Sequence, residues 1–151
     1  MEEEIGSYAA QSCRDHWREG HLINISSFLG RVPLVPHRSA YNAAKAALNA
    51  LTVNLRVDLR RSHPEIHVSL VMPGLVATEF ARNALGGTRP VHPMSAAMGV
   101  QTAEQVAAII ADLIEHPVAE VYTNPATPTL VRRYYEDVAA FEEESRPVVA
   151  R

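Results

Sequence analysis

The sequence predicts an α/β fold in which three short parallel strands alternate with helices. Three observations carry that prediction. Helical and strand-like segments follow one another as helix, strand, helix, strand, helix, strand, helix, the pattern of βαβ crossovers. Two of the strand-like segments, Leu22-Ile23-Asn24-Ile25 and Val68-Ser69-Leu70-Val71-Met72, lack regular polar alternation, as strands covered on both faces do. Gly and Pro separate the segments from one another.

Composition agrees. The chain has 151 residues, 47% hydrophobic and 21% charged, with 14 Lys+Arg against 17 Asp+Glu and a formal net charge of −3. That is enough apolar material for one globular core and too little net charge for a disordered chain. A near-neutral surface argues against nucleic acid as a partner. No run approaches the roughly 18 apolar residues of a membrane helix. The single cysteine, Cys13, excludes a disulfide framework and a multi-cysteine zinc site. Met1 opens onto Glu2-Glu3-Glu4, unlike the basic start of a signal peptide. The expectation is a cytoplasmic protein with neither nucleic-acid nor membrane partners.

The elements follow in order. Residues 2–18 read as a helix with Ile5, Ala9, Ser12, Cys13 and His16 on one face, ended by Gly20. The Leu22–Ile25 strand comes next, its exit marked by Ser26, Ser27 and Gly30, and a loop holding Pro33 and Pro36 follows. Residues 39–61 form a helix, N-capped by Ser39, with Leu48, Leu51, Leu55 and Leu59 as its apolar stripe. The run Ala43-Ala44-Lys45-Ala46-Ala47 makes this helix narrow, so another element can approach it closely. His63-Pro64 stops it. The Val68–Met72 strand ends at Pro73-Gly74. Residues 75–100 read as a mobile surface segment with a short helix over 79–84. Thr102 starts the next helix, with Gln105 placed for a capping box. Its buried face is Ala103, Val106, Ala107, Ile110, Leu113 and Ile114, and Pro117 ends it. Residues 119–123 form a third strand. A final helix spans 128–144, with Val131, Tyr134, Val138 and Phe141 on one side.

Chemistry concentrates around Tyr41 and Lys45. Four residues apart in a helix, they share a face. A phenol titrates at about 10 in water, and a neighbouring ammonium favours its phenolate. Such a pair can act as general acid and base on an alcohol or carbonyl. A hydroxyl facing the same site can hold the substrate oxygen in line. Ser26 and Ser27 both stand at the carboxyl end of a strand, where ligands bind in open parallel sheets.

Three stretches sharpen this reading. Asn24-Ile25-Ser26-Ser27-Phe28-Leu29-Gly30, then Ser39-Ala40-Tyr41-Asn42-Ala43-Ala44-Lys45-Ala46-Ala47-Leu48, then Val71-Met72-Pro73-Gly74-Leu75-Val76-Ala77-Thr78 closely resemble, in this order, the short-chain dehydrogenase/reductase family. The resemblance runs over residues 5–123. It implies the C-terminal part of a Rossmann-like, doubly wound parallel sheet over residues 1–123, three strands with flanking helices, and a C-terminal helical extension over 124–151. It implies NAD or NADP as cofactor and a small carbonyl or alcohol as substrate. Tyr41 would be the acid/base. Lys45 would assist it and bind the nicotinamide ribose, which also brings Tyr41 and Lys45 into the cofactor site. Ser27 would orient the substrate; it is preferred to Ser26 because it stands three residues before Gly30. Pro73, Gly74, Val76 and Thr78 would contact the nicotinamide and the cofactor phosphates. Residues 79–100, with Phe80, Leu85, Val91 and Met94, would form the specificity loop. The helices at 2–18 and 39–61 would build a homo-oligomer interface.

The same resemblance implies a Gly-rich turn that cradles the pyrophosphate. None of the seven glycines forms G-x-G-x-x-G. That turn, the residue that selects NAD or NADP, and the Asn of the family's tetrad are expected upstream of or at Met1, about 100 or more residues at about 30 per βα unit. The three strands would then be one edge of a larger sheet, with Leu22–Ile25 missing its inner neighbour, an aggregation hazard. The alternative expectation is a truncated, inactive chain that acts as a dimerisation or regulatory partner.

Other features read as structural. His63 and His67 have the spacing of a zinc pair, but Pro64 breaks the helix that would align them. Asn24-Ile25-Ser26 is a sequon inside a buried strand. Cys13 belongs to an apolar face. Without G-x-S-x-G, Ser27 is no hydrolase nucleophile. Tyr134, Tyr135 and Phe141 pack a C-terminal helix on the domain, and Glu142-Glu143-Glu144 is a solvated end.

Overall fold

The computed structural model describes residues 20–33, 35–81 and 98–145. The expected helix at 2–18, Cys13, and the specificity-loop positions Leu85, Val91 and Met94 lie outside the described residues. The described strands are β1 (Gly20–Ile25), β2 (Ile66–Met72), β3 (Leu75–Val76), β4 (Val100–Gln101) and β5 (Glu120–Tyr122). The helices are α1 (Ser39–Ser62), α2 (Ala103–Glu115), α3 (Thr127–Glu136) and α4 (Val138–Glu144), with 3-10 turns at Phe28–Gly30 and Glu79–Ala81.

The main sheet is parallel throughout, in the order β1-β2-β5. Gly20 pairs with Ile66 and Ile25 with Val71 across β1–β2, and Leu70 pairs with Glu120 across β2–β5. The central strand β2 is buried at every position but His67, because α1 covers it and a strand flanks it on either side. β1 differs from the expected doubly covered strand. It is half-buried and Ile25 is 43% exposed, as befits a strand paired on one side only among the described residues. Gly20, read as a helix terminator, is the first residue of this strand.

α1 runs as expected, with His63 as its C-cap. Its start is a correction: Ser39 is the first helical residue, and Arg38 occupies the N-cap with no side-chain cap bond. Its buried face is also not the leucine stripe alone. Asn42, Asn49, Thr52, Leu55 and Leu59 face inward, while Leu48 and Leu51 are half-buried. The lower half packs Leu55 and Leu59 against Ile66, Val68 and Leu22. The upper half is polar. Asn24 Nδ2 donates to Thr52 Oγ1 at 3.0 Å, and Thr52 Oγ1 donates to Leu48 O at 2.7 Å. Ala43, Ala44, Ala46, Ala47 and Ala50 lie exposed on the other side.

The surface segment expected over 75–100 is described at its two ends, 75–81 and 98–100. β3 and β4 form a small parallel sheet that periodicity could not reveal, since each has two residues. Of the short helix expected over 79–84, residues Glu79–Ala81 form a 3-10 turn, and 82–84 lie outside the described residues. The capping box of α2 is as predicted: Gln105 N donates to Thr102 Oγ1 at 3.2 Å, and Thr102 N donates to Gln105 Oε1 at 2.8 Å. Of its expected buried face only Leu113 is buried; Ile114 is 59% exposed. The final helix is two helices. Asp137 is both C-cap of α3 and N-cap of α4, its carboxylate accepting from Ala140 N at 2.9 Å. The extended backbone at Asp137 turns Phe141 onto Phe28, Leu29 and Val32, with Tyr134 and Val131 beside it. Burying such a phenyl ring contributes roughly 1.5–3 kcal/mol. Val138, expected on that side, is exposed. Among the described residues no helix is long and apolar enough to cross a membrane.

His21 ties the sheet edge to β2. Ser69 Oγ donates to Val118 O at 2.5 Å, so His21 Nε2, 2.7 Å from Ser69 Oγ, is the donor in that contact. His21 Nδ1 is then buried with no partner among the described residues. Burial, and secondly the facing His67, hold the imidazole below its ordinary value of 6.5. The folded chain therefore binds fewer protons here than the unfolded one. This contribution to stability is complete above pH 6.5 and is lost as pH falls below it. Thermal melts between about pH 7.5 and 5.5 are expected to show a fall in midpoint that His21→Gln flattens; parallel profiles for the two proteins would refute this.

Candidate active site

The three sequence stretches converge at the carboxyl end of the sheet. As β1 ends, Ser26 N donates to Val71 O at 2.8 Å and Phe28 N donates to Pro73 O at 3.1 Å. These bonds fasten the β1 exit to the β2 exit. A second set fastens it to α1. Ser26 Oγ donates to Lys45 O at 3.2 Å, and Lys45 Nζ donates to Ile25 O at 2.9 Å. Gly30 lies flat on the same turn of α1; a Cβ there would stand 2.7 Å from Asn49 Nδ2 and 2.8 Å from the Lys45 carbonyl carbon.

The two serines thus differ. Both are buried, but successive residues leaving a strand point opposite ways. The Ser26 hydroxyl proton is committed to the helix backbone. Ser27 Oγ instead accepts from Leu29 N at 3.2 Å, capping the turn Phe28–Gly30. An oxygen that accepts keeps its own O–H available to donate.

Tyr41, half-buried on the first turn of α1, packs against the Phe28, Leu29 and Val32 cluster. Two cations stand by its ring: Lys45 Nζ is 5.8 Å and Arg38 Cζ 5.9 Å from the centroid. The Phe80 ring lies at 6.1 Å, tilted by 55°. Tyr41 and Lys45 are therefore brought together as expected. Among the described residues no hydrogen bond joins Ser27 to Tyr41. Arg38 escaped sequence reasoning because it precedes the helix, where the i, i+4 rule does not reach; only its cation–π contact shows it.

Pro73 and Gly74 lie between β2 and β3. Val76 is in β3, and Thr78 Oγ1 accepts from Phe80 N at 3.4 Å to open the turn that carries Phe80. A polar network that the sequence did not reveal holds this segment to the exit of β5. Ala77 N donates to Gln101 O at 2.9 Å, Thr123 Oγ1 donates to Gln101 Oε1 at 2.6 Å, and Gln101 Nε2 donates to Thr123 O at 2.9 Å. Asn124 Nδ2 donates to Met98 O at 2.8 Å. Farther along, Arg31 forms a two-oxygen pair with Glu120 at 2.9 and 3.1 Å, and Tyr135 Oη donates to Arg31 O at 3.1 Å. Burial pushes the Tyr122 and Tyr134 phenols up, so both stay neutral and act as packing groups.

A nicotinamide cofactor can be tested against this donor set. Lys45 gives one ammonium N–H to Ile25 O and has two more for ribose hydroxyls. Tyr41 shares its face. These residues fit the nicotinamide ribose end of a dinucleotide.

The family model for short chain dehydrogenase matches residues 8–87. The protein named Dehydrogenase/reductase SDR family protein 7-like of Anopheles gambiae is 33% identical over 113 residues, covering 74% of this chain and 35% of that one. Dehydrogenase/reductase SDR family member 11 of Bos taurus is 43% identical over 75 residues, 48% of this chain and 29% of that one. The matches thus span about a third of these relatives' lengths. Among solved structures, a short chain dehydrogenase/reductase from Burkholderia phymatum in complex with NAD has a TM-score of 0.66 at 27% identity, covering 88% of this chain and 53% of that one. A short chain dehydrogenase from Burkholderia cenocepacia in complex with NADP has a TM-score of 0.62 at 27% identity, covering 85% and 48%.

Proposed function

The chain belongs to the short chain dehydrogenase family, and on that premise we propose that it carries the proton-transfer site of an NAD(P)-dependent oxidoreductase acting on a carbonyl or secondary alcohol. The observation that carries this reading is the placement of Tyr41 and Lys45 on the first turns of α1, with Lys45 Nζ held at Ile25 O one residue from the serine pair. When bound in its reduced form, the nicotinamide would supply hydride for a carbonyl carbon, and Tyr41 and Lys45 would hold its ribose end. Tyr41 Oη gives its proton to the carbonyl oxygen as the π pair moves onto that oxygen; oxidation of an alcohol runs the same transfer backwards. Positive charge from Lys45 and Arg38 beside the ring stabilises the negative charge that Tyr41 acquires as the proton leaves. Ser27, with its O–H free to donate, holds the substrate oxygen in line. The committed proton of Ser26 supports assigning that role to Ser27. Phe80, tilted against Tyr41 and 61% exposed, presents an apolar wall to the substrate side.

The test follows from the part of the cofactor these residues would hold. Reduced nicotinamide mononucleotide, titrated into the 15N-labelled chain, is expected to shift the amides of Tyr41, Lys45, Val76 and Thr78 saturably. No change at those four amides at a ligand concentration on the order of 10 mM would overturn the reading.

A further inference from the structure

At the other end of the sheet, away from Tyr41, the last turns of α1 meet the start of β2 and the turn before β5 around a cavity of about 200 Å³. Arg56 and Arg60 of α1, His67 and its neighbours in β2, and Pro64, Pro117 and Val118 line it. No carboxylate lines it. Among the described residues, neither Arg56 nor Arg60 is in an ion pair.

Arg56 is held in place by the backbone of its neighbours. Arg56 Nε donates to Val68 O at 2.9 Å and Nη2 donates to Ala119 O at 2.7 Å. Both acceptors are neutral carbonyls, so the bonds fix the plane of the guanidinium without cancelling its charge. They leave both N–H groups of Nη1 without an acceptor among the described residues. Arg60 lies one turn along the same helix face. Two like charges at this spacing repel, unless an anion stands between them. A guanidinium fork matches the oxygens of a tetrahedral oxyanion, and two forks on one face match it better than one.

We propose that this cavity is an anion site for a phosphoryl group, either free phosphate or a small phosphate monoester whose body rests on Pro64, Pro117 and Val118. It is separate from the proton-transfer site and does not depend on that reading.

Inorganic phosphate titrated into the 15N-labelled chain at constant ionic strength is expected to move the amides of Arg56, His67, Val68 and Ala119 saturably, with a Kd on the order of 1 mM. Phenyl phosphate is titrated beside it. Tighter binding of the ester marks a monoester as the ligand, and equal binding marks the free ion; both support the site. Arg60→Gln, which leaves both Arg56 backbone bonds in place, is expected to weaken binding roughly tenfold. Arg56→Lys, which keeps the charge and removes the fork, is expected to weaken it as well. Absence of saturable shifts with either probe, or identical titrations of the parent chain and Arg60→Gln, would overturn the proposal.

Discussion

In a full-length version that supplies the Gly-rich turn, Tyr41→Phe is expected to lower turnover of a ketone with NADH or NADPH by about 10²–10⁴-fold, the usual contribution of a positioned proton donor, while leaving the fold intact. The two halves of this expectation have separate causes. The ring of Tyr41 packs on Phe28, Leu29 and Val32, and phenylalanine keeps that contact. The hydroxyl makes no hydrogen bond among the described residues, so its removal strands no buried partner. What is lost is the phenol O–H, while Lys45 and Arg38 stay over the ring at 5.8 and 5.9 Å from its centroid. The effect should fall on kcat rather than KM, because the proton moves only in the transition state. Lys45→Met is the useful contrast. It removes both a cation and the bond to Ile25 O, so cofactor binding should weaken along with turnover. A Tyr41→Phe protein that kept turnover within about a factor of two would show that another group moves the proton.

Most of what positions this site was legible because it is local. Tyr41 and Lys45 are related by helical spacing alone, and Thr102 with Gln105 by the capping box. The main sheet also followed from alternation and family resemblance, since its strands β1, β2 and β5 lie side by side in the order in which the chain makes them, with only the two-residue strands β3 and β4 intervening. What escaped is non-local or too short to have a period. β3 and β4 are two residues each and exist only because Leu75 meets Val100 across 25 positions. The break at Asp137 is hidden within a continuous apolar spacing; the carboxylate that caps α4 ends α3 at the same residue. The polar face of α1 was misread because leucines at helical spacing imply a leucine seam. Here the upper helix instead faces Asn24 at the sheet edge, and asparagine and threonine take the inner positions. The choice between Ser26 and Ser27 likewise depends on hydroxyl partners from other elements: Lys45 O for one, Leu29 N for the other.

Gly30→Ala is expected to destabilise the fold clearly. The reason is close approach rather than backbone freedom. A methyl group would stand 2.7 Å from Asn49 Nδ2, 2.8 Å from the Lys45 carbonyl carbon and 3.0 Å from its oxygen. An amide side chain can rotate aside, but the Lys45 peptide belongs to a hydrogen-bonded helix, so the turn Phe28–Gly30 or the whole of α1 must retreat. Overpacking of this kind costs about 1–3 kcal/mol. At about 2–4 °C per kcal/mol for a chain of this size, the thermal midpoint should fall by roughly 2–12 °C. The retreat also acts on function. Ser26 Oγ and Lys45 Nζ hold the β1 exit to α1 through bonds of 3.2 and 2.9 Å, and both span the gap that the methyl would widen. Cofactor response at Lys45 should therefore weaken in Gly30→Ala even at temperatures where it is folded. Gly74→Ala supplies the control. There the nearest atom is Asn124 Cβ at 3.4 Å, an ordinary contact, so the midpoint should stay within about 1 °C of the parent. If Gly30→Ala melts with the parent chain, the turn does not lie on α1 as described. The serine and the lysine would then owe their proximity to something other than this glycine.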